Sequence, residues 1–364
     1  MAIAVSFFVI IVAVAVSSGF RNSIRNGVAA MTGDIRVEPL VAGTSDPVPM
    51  PRHLPSEETL RALPGVQDIS PVAVRAGIVK SGEIIHGVVV KGLERPDSSL
   101  CVSIPSRLAA LTGLGVGDPL TVYFIGEKLR VRKFRITQVH RDLLEMDDNL
   151  FVYANLSDIQ RLNGWTEDEV SCLEVSVRDA SRQAISELTR EMGSTLLGSG
   201  HEEEENLYVS SAVQNYPQVF DWLDLLDFNV LVILILMTVV AGFNMISGLL
   251  IMLLRNISLI GTLKTLGMND RSIGRVFVQT GATVVGKGMI IGNLLAFLFC
   301  WIQGTTHPNP LDPENYFVSW VPVHLSVPGI LLADVTAYTV ILLLLWLPTR
   351  MIARIDPART VKAD

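Results

Sequence analysis

The chain has 364 residues, 49% of them hydrophobic and 18% charged, with a mean hydropathy of +0.42. That hydropathy is high for a wholly soluble protein, and the charge content is too high for one wholly embedded in a membrane. The charges lie mostly between Arg21 and Asp227, which places a large soluble domain between membrane segments, and a net charge of −7 argues against a nucleic-acid partner.

No internal repeat or low-complexity segment is present. Of the three cysteines, Cys300 falls in an apolar run, and Cys101 and Cys172 fall in the soluble part. Two cysteines in a domain of this size are not a disulfide framework, and they pair only if the fold brings them together.

Residues 2–16 are almost wholly apolar, and the run reaches about 19 residues when Gly19 and Phe20 are counted, close to the roughly 20 that cross a bilayer. A secretory signal would carry a basic segment ahead of a shorter apolar core; here Met1 is followed directly by the apolar run. Residues 1–20 are therefore read as the first transmembrane helix. Arg21 and Arg25 follow it and nothing basic precedes it, the reverse of the usual bias for a span that starts in the cytoplasm.

Residues 21–212 read as an extracytoplasmic α+β domain, with strands and short helices in succession. A polar helical stretch leads into a strand at 35–40, then a Pro- and Gly-rich loop at 43–55. Ser56 is placed to cap a helix running to 63, with Glu57 and Glu58 in its first turn. Strands at 72–80 and 84–91 pair around Ser81-Gly82-Glu83, followed by a helix at 104–112 and a turn at Gly117-Asp118. A strand at 120–125 precedes one at 129–140, in which Arg130, Arg132, Lys133 and Arg135 interleave with Val131, Phe134 and Ile136. A solvated strand face is favoured there over a surface for an anionic partner. Next come a strand at 150–154, a helix at 156–162 capped by Ser157, a strand at 172–178 and a helix at 180–192. His201 with Glu202, Glu203, Glu204 and Glu205 reads as a solvated loop rather than a metal site, because a run of like charges does not converge on an ion.

Val213, Tyr216, Val219, Phe220, Leu223 and Leu226 recur at helical spacing, so 213–229 reads as a stalk helix that Pro217 either kinks or starts. It leads into the second transmembrane helix, 230–254, where Asn244 can hydrogen-bond another helix. Residues 255–270 hold a short amphipathic helix. Ile257, Ile260, Leu263 and Leu266 recur every third position, with Leu259 beside them and Ser258, Lys264 and Thr265 on the polar side. Gly267 stands at a left-handed C-cap position, Asn269 at the next N-cap, and Asp270 in the first turn beyond it. Arg255, Lys264, Arg271 and Arg275 mark this side as cytoplasmic. A plain surface connector and a rigid receiver for a push from a soluble partner fit these residues equally well. The third transmembrane helix, 271–302, carries a small-xxx-small pair, Gly288 and Gly292, and one charge, Lys287, for which snorkelling is favoured over a functional site. Residues 303–326 lack Lys and Arg and form an extracytoplasmic loop. The fourth transmembrane helix, 327–348, has Asp334 near its outer end, and Arg350, Arg354, Arg359 and Lys362 make 349–364 a cytoplasmic tail. No Walker A sequence, Ser/His/Asp arrangement, HExxH or paired Cys/His spacing is present, so no catalytic, cofactor or metal residue is assigned.

Ala241-Gly242-Phe243-Asn244 through Leu263-Lys264-Thr265-Leu266-Gly267, with Asp356-Pro357-Ala358 in the tail, resembles the permeases of MacB/FtsX-type ABC transporters, in particular the lipoprotein-releasing permeases LolC and LolE. The resemblance implies an α-helical membrane protein of four spans, with a MacB-like periplasmic domain of two subdomains inserted between helices 1 and 2. It implies that Ile257, Ile260, Leu263, Lys264, Leu266 and Gly267 form a coupling helix that docks on a separate, dimeric ABC ATPase subunit. It also implies a second permease chain, identical or homologous, a lipoprotein cargo, and residence in the lipid of a bacterial inner membrane. MacB-like efflux of a peptide or drug, and FtsX-like signalling to a cell-wall hydrolase, are the alternatives. The family normally has a basic segment ahead of its first helix, so residues preceding Met1 are expected. Two departures stand out: the family usually has an acidic residue at the position of Leu259, and Ile125-Gly126-Glu127-Lys128 is a short turn where LolC carries a longer carrier-binding loop.

Overall fold

The computed structural model describes residues 1–41, 47–81, 84–94, 99–125, 129–140, 150–179, 181–312, 316 and 318–349. The expected turns at Ser81-Gly82-Glu83 and Ile125-Gly126-Glu127-Lys128, and the tail from Arg350 onward, lie in whole or in part outside these residues. Chain contacts divide the protein into two units: Ser23–Asp221 with Asp312–Ser319, and Met1–Asn22, Trp222–Leu311 and Trp320–Asp364.

The first of these is the α+β domain. Its strands are β1 (Ile35–Pro39), β2 (Met50–Pro51), β3 (Val66–Ser81), β4 (Ile84–Leu93), β5 (Cys101–Pro105), β6 (Pro119–Phe124), β7 (Arg130–His140), β8 (Leu150–Asn155), β9 (Glu169–Val170), β10 (Cys172–Val177) and β11 (Leu207–Ser211). Its helices are α2 (Glu57–Ala62), α3 (Ser106–Thr112), α4 (Leu156–Asn163), α5 (Arg182–Gly198) and α6 (Ala212–Asn215). Nine strands run in the order β11-β1-β10-β3-β4-β8-β5-β7-β6, and β6 also pairs back onto β3.

That extra pairing, Ile78 opposite Tyr123 and Val79 opposite Val122, closes β3, β4, β8, β5, β7 and β6 into a six-stranded ring. β3 serves two sheets because it is 16 residues long: residues 66–72 pair with β10 and residues 73–81 with β4. Alternating burial marks the inward face of β8 and β6, and Ile104, Leu120, Phe124 and Ile136 are fully buried. Gly77 is required in the ring, since a Cβ there would stand 2.7 Å from Val122 and 3.0 Å from Phe124.

Several expectations are corrected. The helix expected at 104–112 begins only at Ser106, because the preceding residues form β5, paired with β7 and β8. Two-residue β2 lies inside the expected loop, and β11 falls in a stretch to which the sequence assigned no element. Ser56 occupies the N-cap position of α2 but makes no cap bond; its hydroxyl and backbone N–H both donate to Glu204, at 2.7 and 2.9 Å. Asn155, not Ser157, caps α4, accepting from the Ser157 N–H. Helix α5 starts after the cap Ser181 and runs on to Gly198. Cys101 and Cys172 are both free.

The long apolar helices are α1 (Ala2–Thr32), α7 (Pro217–Arg255), α9 (Asp270–Thr306) and α10 (Val327–Thr349), with the short α8 (Ile257–Thr265) between α7 and α9; the second unit holds α1 up to Asn22 and α7 from Trp222. All four long helices are long and apolar enough to span a bilayer. α1 does not stop at the end of its apolar run but continues unbroken to Thr32. Pro217 begins α7 rather than kinking it, so Val213 sits on the separate helix α6. Phe7, Met245, Leu249, Val285, Ile341 and Leu345 form the centre of the helix packing. Gly288 and Gly292 both face α1: a Cβ at Gly292 would lie 2.5 Å from the Ala4 carbonyl oxygen, and one at Gly288 would lie 2.8 Å from the Ile3 side chain. The small-xxx-small pair therefore lets two backbones approach. Arg21, which the charge bias left unexplained, pairs with Asp227 of α7, and Ser17 Oγ donates to the same carboxylate at 2.7 Å.

Candidate functional site

The chain leaves α7 at Asn256, whose φ of −108° and ψ of 22° break the helix, while its side chain donates to the Met252 carbonyl at 2.8 Å. α8 follows for nine residues. It ends in a left-handed glycine, Gly267 with φ 87°, where the Gly267 N–H donates to Lys264 O at 3.0 Å and the Met268 N–H to Leu263 O at 3.0 Å. Those two bonds are the pattern that satisfies the last carbonyls of a helix. α9 then starts at once, capped by Asn269, whose side chain accepts from the Arg271 N–H at 3.3 Å. Lys264 Nζ meets Asp270 Oδ1 at 2.9 Å, tying the end of α8 to the start of α9. The short helix is thus fixed at both ends by backbone geometry, and at one end by charge as well.

The six residues that the resemblance assigns to the coupling helix differ in exposure. Ile260 is buried, Ile257, Leu263 and Lys264 are half-buried, and Leu266 and Gly267 are exposed. The reason is geometric: a three-residue spacing slips by about 60° per step on a helix of 3.6 residues per turn. Ile257 and Leu266 therefore stand on opposite sides. Ile260 and Leu263 pack with Ile273 and Leu253 of the neighbouring helices. The outward face is Leu259, Thr262 and Leu266, at i, i+3 and i+7, with Met268 beyond the cap; Leu266 is 79% and Leu259 56% exposed. The sequence signal for this face was Leu259 itself, set apart from the three-residue row.

The two polar residues of the spans lie elsewhere. Asn244 is exposed on α7 and borders a cleft of about 310 Å³ lined by Met1, Ile3, Gly248 and Thr280. Lys287 is exposed on α9 beside Gln279, Thr280 and Thr283, along a depression of about 330 Å³. Its depth follows from the antiparallel register of α9 and α10, where Gly281 packs at Leu345 and Asn293 bonds Asp334. By interpolation Lys287 stands level with about the middle of α10. Thr283 and Gln279, one and two turns toward the Asp270 end, continue a polar track from it.

In the soluble unit, Glu204 is 2% exposed and bonded to Ser56, so the glutamate run is not all solvated. Burial pushes its carboxyl up, but hydrogen bonds from Ser199 and Ser56 outweigh this and hold it below the ordinary carboxylate range. Among the described residues no group of three or more His, Cys, Asp or Glu is arranged to hold a metal ion.

Residues 231–357 match the FtsX-like permease C-terminal family, a stretch that includes most of α7, all of α8 and α9, and α10. Over its full length the chain is similar to two curated proteins. It is 22% identical to the lipoprotein-releasing system transmembrane protein LolE of Haemophilus influenzae, covering 99% of this chain and 92% of that one. It is also 22% identical to the corresponding LolC of Xylella fastidiosa, covering 100% and 92%. Among solved structures, the periplasmic region of MacB from Actinobacillus actinomycetemcomitans aligns with 52% of this chain and 95% of its own length, at 15% identity and a TM-score of 0.32. Residues 231–357 thus carry an FtsX-like permease domain, and the chain is related over its length to LolC and LolE.

Proposed function

We propose that this chain is the non-catalytic membrane subunit of an ABC transporter that releases lipoproteins from a bacterial inner membrane. A separate ATPase, acting as a dimer, supplies the work, and a second permease chain, identical or homologous, completes the complex. α8 receives the ATPase motion on the cytoplasmic side, α7 carries it along its length, and the α+β domain acts on cargo in the periplasm.

The observation that carries this reading is α8 itself: nine residues fixed at both ends, with Leu259, Thr262 and Leu266 turned outward. Exposed leucines on a rigid cytoplasmic helix suit an apolar socket on a partner. The names of the full-length relatives support lipoprotein release over drug efflux.

Leu266→Asp tests it, because the exposed side chain contributes nothing to folding. The variant should insert and fold normally, bind the co-expressed ATPase about tenfold more weakly, and leave lipoproteins in the inner membrane. Normal lipoprotein sorting on depletion of the chain, with altered drug susceptibility, would shift the cargo to a drug or peptide. Unchanged ATPase binding by Leu266→Asp would remove α8 as the docking element.

A further inference from the structure

Within the membrane unit, α9 and α10 meet through one polar pair. Asn293 Nδ2 donates to Asp334 Oδ2 at 2.6 Å. Asp334 is seven residues into α10, about 10 Å along it, and is 6% exposed. The remaining polar atom of each group, Asn293 Oδ1 and Asp334 Oδ1, is buried and has no hydrogen-bond partner among the described residues.

Both unpartnered atoms are acceptors. Each belongs to the same planar group as one half of the existing bond. A proton on Asp334 Oδ1, donated to Asn293 Oδ1, closes a ring of two hydrogen bonds and satisfies both atoms. A carboxylate in that place leaves an acceptor and a charge without compensation in an apolar surrounding.

The neighbourhood offers no compensating charge. α1 packs against this level of α9 through Ala4 and Phe7, and its residues 2–20 contain no titratable side chain. Residues 228–254 of α7 contain none either. On α9 the nearest titratable side chains are Lys287, exposed and six residues away, and the Cys300 thiol, two turns in the other direction. On α10 it is Tyr338, whose hydroxyl donates to the Ala282 carbonyl.

We propose that Asn293 and Asp334 form a proton-binding site inside the membrane, with Asp334 as the neutral carboxylic acid of a cyclic acid–amide pair. The pair pins the third span to the fourth. It is independent of the cargo and of the coupling role of α8.

The test is infrared difference spectroscopy on the full-length protein in lipid nanodiscs, wild type against Asp334→Asn, which keeps the shape. At neutral pH the wild type should show the carbonyl stretch of a protonated carboxylic acid. That band should shift in heavy water, be absent from Asp334→Asn, and move in Asn293→Leu as its hydrogen bond is lost. Thermal stability of Asp334→Asn should match that of wild type, because two amides close the same ring. No Asp334-dependent acid band at neutral pH would overturn the proposal, as would a band that appears only when sodium and potassium are removed, which would make the site a cation site.

Discussion

Lys91 is 1% exposed, yet its ammonium is fully engaged. It donates to the Ala30 and Met31 carbonyls at 2.9 and 3.1 Å and to Glu174 Oε2 at 2.7 Å, and Arg36 holds the other Glu174 oxygen at 2.9 Å. The last carbonyls of a helix have no partner inside it and carry partial negative charge, so a buried lysine there satisfies both demands at the end of α1. Gly33, with φ 72°, completes that end; a Cβ would also stand 3.0 Å from Glu174 Cβ. Arg36 still pairs Glu174 when Lys91 is lost, so Lys91→Met leaves one Glu174 oxygen and the α1 carbonyls unsatisfied and should destabilise the chain by about 1–3 kcal/mol, measured by denaturant unfolding in detergent. Glu204 gives a pH-dependent counterpart. Its folded carboxyl is held below the ordinary range, so its contribution is complete above the unfolded value of about 4.3 and fades as acid carries the pH through the folded value. Ser56→Ala should cost about 1–3 kcal/mol at neutral pH, and its difference from wild type should shrink on acidification. Neither residue was legible beforehand as a partner: Ser56 matched a cap pattern and Glu204 a solvated run, because both patterns are local and their bond joins residues 148 apart.

At the scale of elements, the spans and most strands were legible because hydrophobic runs and period-two alternation are written directly in the residues. The closure of the ring was not, since the β3–β6 pairing depends on where distant strands meet. The outward face of α8 was half legible. Its boundaries and caps follow from Gly267 and Asn269, but which leucines point inward is decided by packing on α7 and α9. The Gly288 and Gly292 contact with α1 was legible as a motif without its partner. Gly292→Val forces side-chain atoms into the Ala4 backbone, with no flexible group to yield. It should cost about 1–3 kcal/mol, seen as a lower unfolding midpoint. Gly286→Ala, at a helical glycine with open space around it, should be neutral or slightly stabilising.

For the whole molecule, the central proposition is that a cytoplasmic helix conveys work to a folded domain on the other side of the bilayer. Among the described residues four helices are long and apolar enough to cross a membrane, and Arg21, one of the two arginines that follow the first of them, is paired with Asp227. Side-selective labelling tests this most directly. In a cysteine-free background, with Cys101, Cys172 and Cys300 replaced, one new cysteine is placed at exposed Ile85 or at exposed Leu266. A membrane-impermeant thiol reagent added to intact cells, with the outer membrane permeabilised, should modify Ile85→Cys and spare Leu266→Cys until the inner membrane is broken. Equal modification of both before that point would contradict the account.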